Sequence, residues 1–158
     1  MTWQEVINHP SLQDLPFKIE LNAAGVIEMS PATNWHDYYQ MEIGSLLNQL
    51  LADGRSLSET SIQTTDGVRV ADVIWASKVF LLTHKDQTPF QIAPPICVEI
   101  TSSSNTEKEM RQKIDLYLEA GATEVWLCNL ECELRFHNED EQLEHSNMTL
   151  TFPREISL

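Results

Sequence analysis

The sequence predicts a mixed α/β domain, in which a β-hairpin leads into a central sheet flanked by helices. Three observations carry this reading. Phe17-Lys18-Ile19-Glu20-Leu21 and Val26-Ile27-Glu28-Met29 alternate apolar and polar residues around Asn22-Ala23-Ala24-Gly25, the pattern of a hairpin. Residues 35–52 and 106–120 carry apolar side chains at helical spacing. Ile96-Cys97-Val98-Glu99-Ile100 is nearly all apolar, as expected of a strand covered on both faces, and a helix separates it from Val125-Trp126-Leu127-Cys128. Such a strand–helix–strand crossover places its two strands parallel.

Each element has a local reason. Residues 1–16 read as a short helix or irregular arm closed by Pro16, and Ser30-Pro31 ends the hairpin. Asn34 is a good N-cap for the first long helix, with Asp37 near the positive end of its dipole. Tyr39, Ile43, Leu46, Leu47 and Leu50 form the buried face of that helix, and Asp53-Gly54 stops it. Strands are expected at 57–64, 67–76 and 96–101. The interval 77–95 holds Pro89, Pro94 and Pro95, with a helical turn at 78–82. Ser102-Ser103-Ser104-Asn105 forms a polar turn, Ser104 and Glu107 read as a capping box, and Gly121 ends the second long helix. Further strands are expected at 125–128, 133–137 and 148–152, giving the order ββαβββαβββ.

Length and composition bound the function. A chain of 158 residues suggests one domain over 1–158, large enough to bury a core without disulfides or metals. Twenty-four acidic residues against ten Lys and Arg give a formal charge of -14. That excludes a surface basic throughout and requires any nucleic-acid reading to explain the charge. No apolar run is long enough for a transmembrane helix, so no membrane association is expected. The first five residues lack the basic and apolar regions of a signal peptide. Cys97, Cys128 and Cys132 read as buried reduced thiols, and the cytoplasm is the expected compartment.

The candidate chemistry lies in residues that strands and apolar helix faces do not ordinarily hold. Asp72 sits within Val68-Arg69-Val70-Ala71-Asp72-Val73-Ile74-Trp75, and Glu99 lies inside its apolar strand. A buried carboxylate is normally protonated, paired or bound to a metal. Either acid alone reads as a salt-bridged or strand-end residue. Two on consecutive strands suggest a shared site of the kind that holds Mg2+. Lys113 falls within the apolar arc of Met110, Ile114, Tyr117 and Leu118, as a partner for such a site or as a lysine snorkelling to water. Glu42 lies about 60° from the centre of the first helix's apolar face, at the sheet boundary or on a solvated flank. His36, in that helix's first turn, reads as a capping or surface residue or as a site residue. Phosphate-cradling glycine motifs, a nucleophile elbow and a zinc-protease motif are all absent.

An acid at one strand, an acid in the next and a nearby lysine outline the PD-(D/E)XK nuclease superfamily. More specifically, the chain resembles the Uma-two family of restriction-endonuclease-like proteins over about residues 17–137. The resemblance rests on Gly25-Val26-Ile27-Glu28-Met29-Ser30-Pro31, on His36 and on Val68 to Val73. It continues through Val98-Glu99-Ile100-Thr101-Ser102 and Lys113-x-x-x-Tyr117-x-x-x-Gly121-x-x-Glu124-Val125-Trp126-Leu127. It implies a restriction-endonuclease-like mixed sheet flanked by helices. It also implies that Asp72 and Glu99 hold the metal, that the Ile100 carbonyl completes the coordination, and that Glu42 is an added acid from the first helix. Ala71 stands where the motif usually has proline. Thr101 stands where it has lysine, so Lys113 supplies that function or the site lacks it.

The function this implies is Mg2+-dependent hydrolysis of DNA phosphodiester bonds, with Mn2+ as a substitute. Lys113 would orient the attacking water or stabilise charge on the phosphate. The alternative is an interaction module of the same fold with a weak or absent site. A homodimer that covers sheet edges is expected in either case.

Overall fold

The computed structural model describes residues 1–158. A short helix α1 (Trp3–Asn8) and a 3-10 turn (Pro10–Leu12) form the N-terminal arm. The hairpin β1 (Phe17–Leu21) and β2 (Ile27–Pro31) is followed by α2 (Asn34–Leu50) and the long pair β3 (Gly54–Thr64) and β4 (Gly67–Ser77). Then come α3 (Lys78–His84), β5 (Ile96–Ile100), α4 (Glu107–Glu119), β6 (Glu124–Cys128), β7 (Leu134–His137) and β8 (Gln142–Leu143). No helix is long and apolar enough to cross a membrane.

The eight strands form one sheet that branches at β4. Strand β3 pairs along the whole of β4, from Thr64 opposite Gly67 to Gly54 opposite Ser77. On the β4 edge facing away from β3, β1 meets it at Leu21 and Val68, while β5 meets it from Val73 to Trp75. From β5 the sheet continues through β6, β7 and β8. The β5–β6 pair is parallel because α4 crosses between them, and the other pairs are antiparallel. The turn into β4 needs Gly67, whose φ of +77° is left-handed and where a Cβ would overlap the Leu21 carbonyl oxygen.

Apolar side chains cluster on either side of the sheet. Ile43 and Leu47 of α2 pack with Val73, Trp75, Val98, Trp126 and Phe136. Ile114 and Tyr117 of α4 pack with Ile62, Ala71, Ile74, Cys97 and Val125. All five residues of β5 are buried, as expected of a central strand. All three cysteines are free and buried. Ile43 is fully buried, so Ile43→Val should lower stability by about 1 kcal/mol in urea unfolding through the lost methylene and the small void left behind.

Several local features differ from the sequence reading. Thr33 rather than Asn34 caps α2, because its hydroxyl accepts the His36 N–H. Leu50 closes that helix on its exposed side instead of joining the core. The capping box of α4 is Thr106 with Glu109, two residues later than Ser104 with Glu107. The Asn105 side chain accepts from both Ser102 N and Oγ, and Ser104 Oγ pairs with Ser102 Oγ, so the polar turn occupies those side chains. Residues 148–152 form turns rather than a strand. The Asn147 and Met148 N–H groups donate to the buried Glu124 carboxylate, and Thr149 N donates to Ser146 Oγ, leaving no ladder to extend.

Candidate active site

The polar face of β1 turns inward. Lys18 and Glu20 alternate with Phe17, Ile19 and Leu21, and Glu20 is buried where β1 passes β4. There the strands share only one paired position, and Glu20 Oε2 accepts the Val70 N–H at 2.8 Å in place of a ladder bond. Asp72 on β4 and Glu99 on β5 are buried beside it. Lys18 Nζ stands 3.0 Å from Asp72 Oδ1 and 3.0 Å from Glu99 Oε2. Lys113, reaching in from α4, lies 2.9 Å from Glu20 Oε1 and 3.3 Å from Glu99 Oε1.

Each buried carboxylate therefore has one oxygen anchored by the fold and one offered to a cation. Asp72 Oδ2 accepts the Ile100 N–H at 2.7 Å and lies 3.4 Å from His36 Nε2. Glu99 Oε1 accepts the Tyr117 hydroxyl at 2.7 Å. The two remaining oxygens share the Lys18 ammonium. An open cavity of 370 Å³ adjoins Glu99, lined by Lys18, His36, Glu59, Glu99, Ile100 and Lys113 among others, and Asp72 reaches it only through its contacts with Lys18 and His36. Glu59 reaches its rim from β3 through a left-handed backbone (φ +47°), and its carboxylate accepts from Gln40.

Burial and pairing compete over every charge. Burial works to raise the Asp72 carboxyl, but Lys18, His36 and the Ile100 N–H hold it below the ordinary range. Glu99 goes the other way, because burial outweighs Lys113 and Lys18 while Asp72 and Glu20 repel its charge. Glu20 is buried yet held low by Lys113, Lys18 and the Val70 N–H. Three carboxylates face two ammoniums, so one negative charge is left over, which a protonated His36 would balance.

The hydrogen bond to Asp72 raises the His36 imidazole above its ordinary value, against the opposing effect of burial. A raised folded value means the protonated His36–Asp72 pair stabilises fully below the unfolded value of about 6.5 and is lost as pH rises through the folded value. In metal-free protein, the stability lost by His36→Asn should therefore be largest on the acid side of 6.5 and shrink on the alkaline side. NMR titration of the imidazole checks the same point. Titration at or below the ordinary value would sink it.

The structure thus brings Asp72, Glu99 and Lys113 together and adds His36. It does not bring Glu42. On α2, His36 and Gln40 face the site, and Gln40 Nε2 donates to the Asp72 carbonyl at 2.8 Å. Glu42 lies about 200° round the helix from Gln40, is half-buried, and is not among the cavity's lining residues. Ile100 enters through its N–H. Thr101 offers no cation at the motif position, and Lys18 and Lys113 bring their charges from β1 and α4. Lys18, Glu20 and Glu59 were not singled out by the sequence. The only signal was that Lys18 and Glu20 share one face of β1.

No three His, Cys, Asp or Glu side chains form a ready metal-ligating group. The available donors are hard carboxylate oxygens, the type Mg2+ and Mn2+ prefer, and Mg2+ completes its shell largely with water. Two such oxygens already converge on one positive charge, so the donor set fits a divalent cation that replaces the Lys18 ammonium.

A family model described as "Uma2: Putative restriction endonuclease" matches residues 3–157. The fold is similar to a crystal structure described as a putative nuclease belonging to DUF820 from Anabaena variabilis ATCC 29413. The TM-score is 0.65 and the identity 20%, covering 79% of this chain and 74% of that one. At that identity the likeness speaks for the fold, which is restriction-endonuclease-like. No curated protein matches the chain.

Proposed function

The chain belongs to the Uma2 family, and on that premise we propose that it is a divalent-cation-dependent nuclease hydrolysing DNA phosphodiester bonds beside Asp72 and Glu99. One observation carries the reading. Each of two buried carboxylates is anchored through one oxygen and turns the other to a shared cation beside an open cavity.

Asp72 Oδ1 and Glu99 Oε2 would hold Mg2+ or Mn2+, with the Ile100 carbonyl as the backbone ligand. When bound, such an ion polarises the scissile phosphate and lowers the pKa of an attacking water. Ile100 N–H and Tyr117 OH keep the two carboxylates oriented. Lys18 neutralises them in the metal-free protein and would have to give up its place to a bound cation. Lys113 directs its ammonium at charge building on the phosphate oxygens or at the attacking water. The acidic surface supplies little long-range attraction, so binding is expected to be weak and salt-sensitive.

The test is cleavage of supercoiled plasmid, short duplexes and single strands with Mg2+, Mn2+ or chelator. Cleavage that needs the cation and disappears in Asp72→Asn and Glu99→Gln supports the proposal. Cleavage at the wild-type rate in both variants would show a contaminating nuclease and overturn it.

A further inference from the structure

We propose that the aromatic slot beside this site binds an unpaired base, making the substrate a single DNA strand. The inference rests on the nuclease reading for the place of the scissile phosphate and names the form of DNA that site accepts.

Trp35 is 56% exposed in the first turn of α2, one residue before His36. Its indole is stacked with Tyr39, with centroids 5.9 Å apart and planes 21° from parallel, and Tyr38 meets it edge-on at 5.3 Å. An exposed tryptophan held by two tyrosines is a rigid platform rather than a loose side chain. It lines a second cavity of 210 Å³ with Tyr39 and Leu130, and Thr101, Ser102 and Ser103 line the same cavity. That volume is below the roughly 300 Å³ at which pockets begin to hold drug-sized ligands, which suits one planar ring system. Pro31, Ala32, His36, Ile100 and Ser102 line both this slot and the carboxylate cavity, so the two are adjacent.

Charge selects the strand form. The chain carries a formal -14, and the lysines lining the carboxylate cavity, Lys18 and Lys113, are already paired with buried acids. Gripping a duplex requires neutralising several phosphates on two backbones. Single strands also bind through aromatic stacking, which needs no net positive charge and accepts any base. An acidic protein with a stacking platform beside its carboxylates is matched to the second mode.

The experiment measures binding apart from cleavage. Dye-labelled oligothymidylate and a duplex of equal length are titrated in chelator and followed by fluorescence anisotropy, while cleavage is scored separately with Mg2+ or Mn2+. Wild-type protein should prefer the single strand. Trp35→Ala should weaken that binding roughly 5- to 100-fold, Trp35→Phe should retain most of it, and duplex affinity should not change. Single-strand affinity indifferent to Trp35, or equal or tighter duplex binding, would overturn the inference. So would sedimentation showing that Trp35→Ala dissociates a dimer, because the platform would then be a self-association surface. Trp35-dependent binding without cleavage under any metal would leave the slot assigned and remove the nuclease reading. Metal-dependent cleavage with Trp35-independent binding would do the reverse.

Discussion

Asp72→Asn is expected to lower cleavage by about a thousandfold or more while leaving the fold in place. The substitution is nearly isosteric and keeps an oxygen for the Ile100 N–H, which the native carboxylate accepts at 2.7 Å. What it removes is the negative charge in the middle of β4, in a position fully shielded from water. That charge faces Lys18 and His36 and would carry half of the cation's protein charge. Lewis-acid stabilisation by a bound metal is worth several kcal/mol, and about 4 kcal/mol corresponds to three orders of magnitude in rate. Calorimetry should show Mn2+ binding weakened in parallel, and circular dichroism should remain native. A variant that cleaves and binds metal like the wild type would remove Asp72 from the mechanism.

The second large effect concerns stability. Glu124→Ala should destabilise the protein by on the order of 3–5 kcal/mol, with the loss centred on the C-terminal segment. Glu124 opens β6 with 1% exposure. Its Oε2 accepts from Trp126 Nε1 at 2.8 Å and Ser146 Oγ at 2.7 Å. Its Oε1 accepts from Asn147 N at 2.7 Å and Met148 N at 3.1 Å. Alanine leaves the buried Trp126 and Ser146 donors without this acceptor and frees the half-buried Asn147 and Met148 N–H groups, and each buried loss costs about 1–3 kcal/mol before local relaxation. For a chain of this size the melting temperature should fall by roughly 6–20 °C. The segment that carries Phe152 and Ile156 into the core should become sensitive to protease. Unchanged melting and unchanged protease resistance would mean that this carboxylate does not anchor the segment.

The contrast between Glu124 and Glu99 shows how far buried acids can be read from the chain. Glu99 stood out because it interrupts an apolar run, where an unpaired charge is energetically anomalous. Glu124 follows Gly121-Ala122-Thr123 at a strand start, where an acid is unremarkable in sequence. Lys113 was legible because the helical period places it within an apolar arc. Glu42 failed by the same geometry. Periodicity gives the angle between residues on a helix, but not how that helix is rotated against the sheet, and α2 turns His36 and Gln40 toward Asp72 instead.

Lys18 and Glu20 mark a different limit. Alternation in a strand says that its two faces differ, and the apolar face is ordinarily taken as the inner one. In β1 both faces find partners, because the polar one lies against three charged neighbours from β4, β5 and α4. Those neighbours are 54 to 93 residues away along the chain, beyond the reach of any local pattern. Glu59 is similar, since nothing in Ser58-Glu59-Thr60 signals the left-handed backbone found there.

By itself, the sequence determined a mixed α/β domain, a parallel crossover from β5 to β6, an acidic body and two misplaced strand carboxylates with an inward lysine. These follow from local periodicity, turn chemistry and the cost of burying charge, which act over a few residues. Tertiary structure alone decided which charges meet. It set Lys18 between Asp72 and Glu99, turned Glu42 away, bound Glu124 to the C-terminal segment and placed Trp35 beside the site. The physical reason is that ion pairing and cavity shape depend on the relative rotation of elements distant in sequence, and only packing of the whole sheet against its helices settles that rotation.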